Sequence, residues 1–296
     1  MFKSMLKTMF EIISCFLFIC FFILLSPDSG WAAIPTANTI FNRYTHNNGK
    51  SSYIVEQEVQ FQTDVDNVVL REKWIVENAN TMYLIVNGEQ AGSAHLEVLY
   101  KDGRRVYVDN LGSVKSAPIS SEFIEPYLYF HSARSLLDAL LNAKVLPAGF
   151  RLERPRISKL ETYSPQPERD VQLSRTGGVI AYQFGELTPA NSERLNPGFW
   201  IEQDAFLFRR LRFSSQAEII ADKHAQFAGG IHLPRERTLN WDNHSVVIRV
   251  LSVKVLGAKS PKTWFSSNYL TGRAGAANAL KLPASPQVTE FYSRFR

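Results

Sequence analysis

From Ser51 onward hydrophobic and polar residues alternate with a period of two, the signature of half-buried β-strands. Tyr53, Val55, Val59 and Phe61 alternate with Glu56, Glu58, Gln60 and Gln62. After the polar connection TDVDN, Leu70, Trp74 and Val76 alternate with Arg71, Lys73 and Glu77. TMYLIVNG is a third run, and HLEVLYKDGRRVYVD reads as a hairpin with Asp102 and Gly103 at the turn, a dipeptide that adopts positive φ readily. Strands joined this closely pair antiparallel.

The period changes between Ser120 and Pro147. Leu136, Leu137, Leu140 and Leu141 recur at helical spacing, with Arg134, Asp138 and Asn142 on another side and Pro147 at the exit. Upstream, FIEPYLYF predicts a short helix starting near Pro126. Residues 120–147 therefore form an apolar helical insert between two blocks of strands. RLERPRISKLETYSPQPERD is a polar, proline-containing connection, and strands resume at DVQLS and VIAYQFGE across a turn at Gly177 and Gly178. Further on, Leu207, Leu211 and Phe213 share a parity, as do Ile219, Ala221, Ala225 and Phe227, then Ile231, Leu233, Leu239 and Trp241. Each strand thus offers one apolar face, broken by arginines. In FAGGIHLPRERTLNW the turn falls at Gly229 and Gly230. Pro234 lies early in the following strand on the polar parity of His232, Glu236 and Thr238, where a missing donor or a bulge is least costly. This implies a curved sheet with an open edge. No stretch repeats at a fixed period, which argues against solenoids and propellers.

In the tail from Ala258, Trp264, Phe265 and Tyr269 are placed to pack back on the sheet, TGRAGAANALKLPAS reads as a linker, and Ser285 with Pro286 opens a last helix. At the other end, Lys3 and Lys7 precede an apolar run, Ile12 to Leu25, followed by SPDSGWAA with small residues at Gly30 and Ala32. That is the layout of a cleaved secretory signal, cut between Ala32 and Ala33. Adding Met9 and Phe10 brings the run close to a membrane span, although Glu11 interrupts it, so an uncleaved anchor is the alternative. N-terminal sequencing of protein from the envelope fraction is expected to begin at Ala33; an intact Met1 in the inner membrane would contradict cleavage. The expected organisation is a signal peptide over 1–32, a domain over 33–257 and an extension over 258–296.

With 296 residues and 45% hydrophobic content, the chain can bury a substantial core. Its 2 cysteines, Cys15 and Cys20, both lie in the leader, so the mature protein has no disulfide staple. The net charge of +5 belongs to the mature part, with both signs interspersed. It implies at most a mild attraction to anionic lipid surfaces, a peripheral membrane contact.

Motifs for catalysis are absent from the sequence: no HExxH, Walker loop, GxGxxG or GxSxG, and no cysteine nucleophile after leader removal. His224, His232 and His244 fall on neighbouring strands without metal-ligand spacing and read as solvated surface residues. Arg209, Arg210 and Arg212 in RRLR are candidates for phosphate, against the commoner reading of a wet strand face. Aromatic and basic residues are not interleaved densely enough for nucleic acid. Asn243 in NHS is a glycosylation acceptor only in a eukaryotic secretory pathway. No catalytic residue, metal or cofactor is expected.

The segment PGFWIEQDAFLFRRLRF…AEIIADKHAQFAGGIHLPRERTLNWDNHSVVIRVLSVKV resembles the LolA-like proteins of bacterial envelopes, carriers that ferry lipoproteins to the outer membrane, and their relatives. The likeness lies in a tryptophan strand with an acidic turn (FWIEQD), an RLRF strand, a strand running into GGIHLPRE and a last alternating strand. It implies a mainly β (α+β) fold: a curved antiparallel sheet forming an incomplete barrel, with helices closing the opening over an apolar cavity. The chain departs from the carriers in the tail after Gly257. It also lacks a clear counterpart of the arginine that latches the family's helical lid, for which Arg71 is a candidate by strand position.

The resulting expectation is a periplasmic, non-enzymatic carrier that shelters lipid or lipoprotein acyl chains. The lipid-contacting set would be Val55, Val59, Phe61, Leu70, Trp74, Leu211 and Phe213 from strands, with Leu137 and Leu141 from the lid. The same residues packed as a solid core are the structural alternative. The functional alternative is an envelope interaction or stress-sensing module that binds a partner protein.

Overall fold

In the computed structural model, which describes residues 34–62, 67–88, 94–153, 171–257, 262–275 and 278–296, the alternation becomes one long antiparallel sheet. The leader, most of the connection 151–170 and most of TDVDN lie outside the described residues. In chain order come α1 (Ala37–His46), β1 (Tyr53–Gln62), β2 (Asn67–Asn78), β3 (Thr81–Gly88), β4 (His95–Lys101), β5 (Arg104–Val108) and β6 (Val114–Pro118). A 3-10 turn (Glu125–Leu128) and α2 (Ala133–Asn142) follow. The second block is β7 (Val171–Thr176), β8 (Val179–Phe184), β9 (Gly198–Glu202), β10 (Phe208–Arg212), β11 (Glu218–Gln226), β12 (His232–Trp241) and β13 (His244–Val255). The tail carries α3 (Ser267–Thr271) and α4 (Pro286–Arg294).

The sheet order is β6-β5-β4-β3-β2-β1-β13-β12-β11-β10-β9-β8-β7, so the two blocks join where β1 pairs with β13. The ends, β6 and β7, are not paired with each other, and the sheet stays an unclosed, incomplete barrel. Asp102 and Gly103, Gly177 and Gly178, and Gly229 and Gly230 all have positive φ at the turns, as their sequences predict. Pro234 lies where β12 pairs with β11 alone, since pairing with β13 begins at Glu236, so its missing donor breaks no ladder there.

Two details differ from the alternation. The register between β9 and β10 shifts between Phe208 and Arg210, which turns Phe208 into the interior and leaves Leu207 half-buried. α1 is an element the alternation passes over although its signal is present: Ala37, Ile40, Phe41 and Tyr44 recur at helical spacing behind a Thr36 side-chain cap, whereas β6 buries no residue and has no period to read.

Both faces of the sheet are covered over β2 to β4. On the convex face, Phe265 and Leu270 of the tail pack with Ile75, Tyr83, Leu99 and Val108, with Trp264 and Tyr269 beside them. The linker-like stretch is pinned in its described part, because Leu280 donates to the Asp109 carbonyl and Lys281 bridges to His95. α4 then lies against the concave face. Phe291 meets Phe61 edge-on at 5.2 Å and Phe295 meets Trp241 at 5.1 Å.

Candidate functional site

The concave face is built from the single-parity residues of the strands. Val55, Val59, Trp74, Leu211 and Phe213 have 0% exposure, and Phe61 and Leu70 have 1%. From the lid, Leu137 is buried with the core, whereas Leu141 is half-buried on the wall of a separate pocket. The structure thus brings the seven strand residues into one interior and separates Leu141 from it.

α1 and α2 pack against each other over this interior. Phe41 of α1 contacts Phe184 and Phe199, and the Tyr44 hydroxyl donates to the Tyr127 carbonyl in the lid turn. Burial pushes the Tyr44 hydroxyl pKa well up, so it stays a donor.

A pocket of about 350 Å³ opens between α2, the 3-10 turn and the strand turns at Ala79 and Gly103. Its walls include Tyr100, Phe123, Tyr127, Phe130, Ala139 and Ala143, and Asn80, Ser120, Ser121 and Asn142 add polar groups. Tyr100 and Phe123 stack at 4.4 Å, and Tyr100 stacks in turn on Trp74. The pocket wall and the concave interior are therefore two sides of one aromatic stack. Leu141 lines a second pocket, also at the C-terminal end of α2 and meeting the first at Asn142, with Lys144, Val145, Leu146, Pro147 and Pro197.

A polar ring crosses the apolar interior. Arg237 of β12 donates to Glu125 of the lid turn at 3.0 Å and to the Gln57 side chain of β1. Gln57 donates to Glu72 of β2 at 2.6 Å, and the Trp74 indole donates to the same carboxylate at 2.9 Å. Arg296, just past α4, donates through Nε to Glu72 at 3.0 Å and lies 3.4 Å from Glu125, which closes the ring. These six side chains are all at most 1% exposed. Burial raises the Glu72 carboxyl, but the Arg296 charge and the hydrogen bonds from Arg296, Gln57 and Trp74 together hold it below its ordinary value. Burial likewise opposes the Arg296 charge, and Glu72 and Glu125 overcome it.

This ring is the part of the site that alternation alone passes over, although a signal is present. Gln57, Glu72 and Arg237 each occupy the apolar parity of their strand, where an unpaired polar side chain is costly and so calls for a partner. Arg71 is exposed on the opposite parity, so it is not the residue that holds the lid. Arg237 makes that contact.

The other candidates resolve differently. Arg209 pairs with Glu202 at 2.5 Å, and Arg210 and Arg212 share Glu218 while flanking the Trp200 ring at 5.2 and 5.4 Å. Their charges are met by carboxylates within the sheet, but the face is not a wet one: Arg209 and Arg210 are no more than a quarter exposed and Arg212 is buried. His224, His232 and His244 lie on or at the ends of β11, β12 and β13. His224 is half-buried, and burial with nearby Arg209 pushes its imidazole down to about 4. Among the described residues no three His, Cys, Asp or Glu side chains group in a way that could hold a metal ion. Nor does any described helix have the length and apolarity to cross a membrane.

No family model and no curated protein matches the sequence. Solved structures are similar to it. A LolA superfamily protein from Nitrosomonas europaea superposes with a TM-score of 0.51 at 11% identity, over 80% of this chain and 100% of that one. A DUF1329 family protein from Desulfovibrio piger gives 0.47 at 9%, over 80% and 100%. A putative outer membrane lipoprotein-sorting protein domain from Vibrio parahaemolyticus also gives 0.47 at 9%, over 79% and 97%. The chain has a LolA-like fold.

Proposed function

We propose that the protein is a non-enzymatic carrier or binding protein of the periplasm that shelters an acyl chain of a lipid or lipoprotein in its half-barrel. The observation that supports this reading most is the concave face itself. Its strand residues, from Val55 to Phe213, are large and apolar, and what lies on them is a separate amphipathic helix together with a lid. Such a surface suits an acyl chain without any dedicated polar group. The pocket beside the lid is the proposed point of entry. Eight methylenes taken out of water contribute about 6 kcal/mol, enough for a dissociation constant of order 10–100 μM before ordering costs. Val55, Val59, Phe61, Leu70, Trp74, Leu137, Leu211 and Phe213 would contact cargo that advances past the Tyr100–Phe123 stack, and Leu141 would contact cargo in the second pocket, beside Val145 and Pro147. The LolA-like fold is compatible with this role and does not by itself select a cargo.

A second reading has its own observation. The element seated on the concave face is a helix, so the face also fits an amphipathic helix from a partner protein.

The two walls of the lid separate a cargo site from a solid core. Ala139 faces the pocket, so Ala139→Trp is expected to weaken binding of a fluorescent fatty acid tenfold or more while changing stability by about 1 kcal/mol or less. Leu137 is 2% exposed, so Leu137→Trp overpacks the interior and costs about 1–3 kcal/mol in a denaturant melt. Unchanged fatty-acid affinity in Ala139→Trp would remove the pocket from the account.

A further inference from the structure

α4 occupies the concave face without belonging to its sheet. It adds no strand, and it reaches the interior through a segment containing Pro283, with Pro286 as its own first residue. Its inward side chains Val288, Phe291, Tyr292 and Phe295 are at most 3% exposed, and they recur at the spacing by which a helix fills a groove. Polar contacts hold its two ends. Gln287 donates to the Ser245 carbonyl at 3.2 Å, while Arg105 donates to the carbonyls of Tyr292, Ser293 and Arg296, as a cation does at a helix C-terminus. Arg294 pairs with Glu122 at 2.5 Å next to the lid turn.

Arg296 is the deepest contact. Its guanidinium lies between Glu72 of the sheet and Glu125 of the lid turn and over the rings of Trp74 and Phe291 at 5.6 and 4.7 Å. One cation thus fastens α4 to the sheet and to the lid at once. Buried ion pairs of this kind fix geometry more than they add net stability, because both partners regain hydration when they part. Trp74 carries this contact and also stacks on Tyr100 of the pocket wall. A chain pressing inward from the pocket therefore meets the fastening directly.

We propose that the concave face is a binding site whose resident ligand is α4, and that acyl cargo displaces α4 by parting Arg296 from Glu72 and Glu125. This inference rests on the acyl-binding reading above. The helix screens the apolar face while no cargo is present, and its release couples occupancy of the interior to exposure of a second amphipathic surface, that of α4 itself.

The test cuts the folded protein. A specific protease site is inserted between Pro283 and Ala284, the folded chain is cleaved, and the fragment from Ala284 onward is followed by gel filtration with and without oleate. The fragment is expected to co-elute with the body when no lipid is present and to leave it in proportion to the oleate bound. In Arg296→Met the oleate concentration for half release should fall about tenfold. Oleate bound with the fragment fully retained overturns the proposal and leaves acyl binding standing. A fragment that separates on cleavage alone is not a resident ligand and also overturns it. If the body binds no oleate even after the fragment has been washed away in mild denaturant, the acyl reading falls and the proposal with it.

Discussion

Replacing Glu125 with Ala is expected to lower the unfolding free energy by about 3–5 kcal/mol, among the largest losses any single substitution in this protein should produce. The carboxylate is 0% exposed and faces two guanidiniums, Arg237 at 3.0 Å and Arg296 at 3.4 Å. Truncation leaves both cations in an apolar interior with one carboxylate, Glu72, and that carboxylate already accepts from Gln57, Trp74 and Arg296. Glu125→Gln keeps an acceptor and is expected to lose less, about 1.5–3 kcal/mol. Urea denaturation of the two variants checks the order, and a loss below 1 kcal/mol in Glu125→Ala would show that the ring does not carry buried charge. The ring also sets a dependence on pH. The Glu72 carboxyl lies below its ordinary 4.5 in the folded protein, so its stabilising contribution is complete above that value and fades as pH falls through the lowered one.

Val59→Asp is expected to unfold the protein or cost more than 4 kcal/mol, while Gln60→Asp stays within about 0.5 kcal/mol. Val59 has 0% exposure in the middle of β1, between Leu70 on β2 and Ile248 on β13. The interior cation that shares its row, Arg237 opposite Ile248, already donates to Glu125 and Gln57, so a carboxylate there adds an uncompensated charge to the apolar layer. The neighbouring Gln60 side chain points to the opposite face, where its Oε1 accepts from Arg249 at 2.5 Å, so an aspartate placed there gains a cation. Thermal melts of the two variants test the facing of β1 in one comparison. Equal losses would mean that the strand faces the other way.

The strands, their facing and their turns were legible because burial on one face enforces a period of two, and Val55, Val59 and Phe61 lie inside as that period requires. The polar ring was legible only in part. Gln57, Glu72 and Arg237 interrupt the apolar parity in plain view, but their partners are remote: Glu125 is 112 residues from Arg237, and Arg296 is 224 from Glu72. Periodicity reports which face a residue occupies and nothing about what stands across from it. α4 was legible as a helix from Ser285 and Pro286, yet its seat on the concave face follows from the path of the tail over the convex side, which local pattern does not encode. β6 escaped for the opposite reason. As an edge strand with no buried residue, it has no apolar parity to display.

The central claim is that the half-barrel takes up an acyl chain, and native mass spectrometry of the purified protein mixed with excess oleate tests it most directly. The account predicts a one-to-one adduct that Ala139→Trp diminishes. The bare chain alone, at oleate concentrations up to its solubility limit and under conditions that preserve non-covalent complexes, would contradict it.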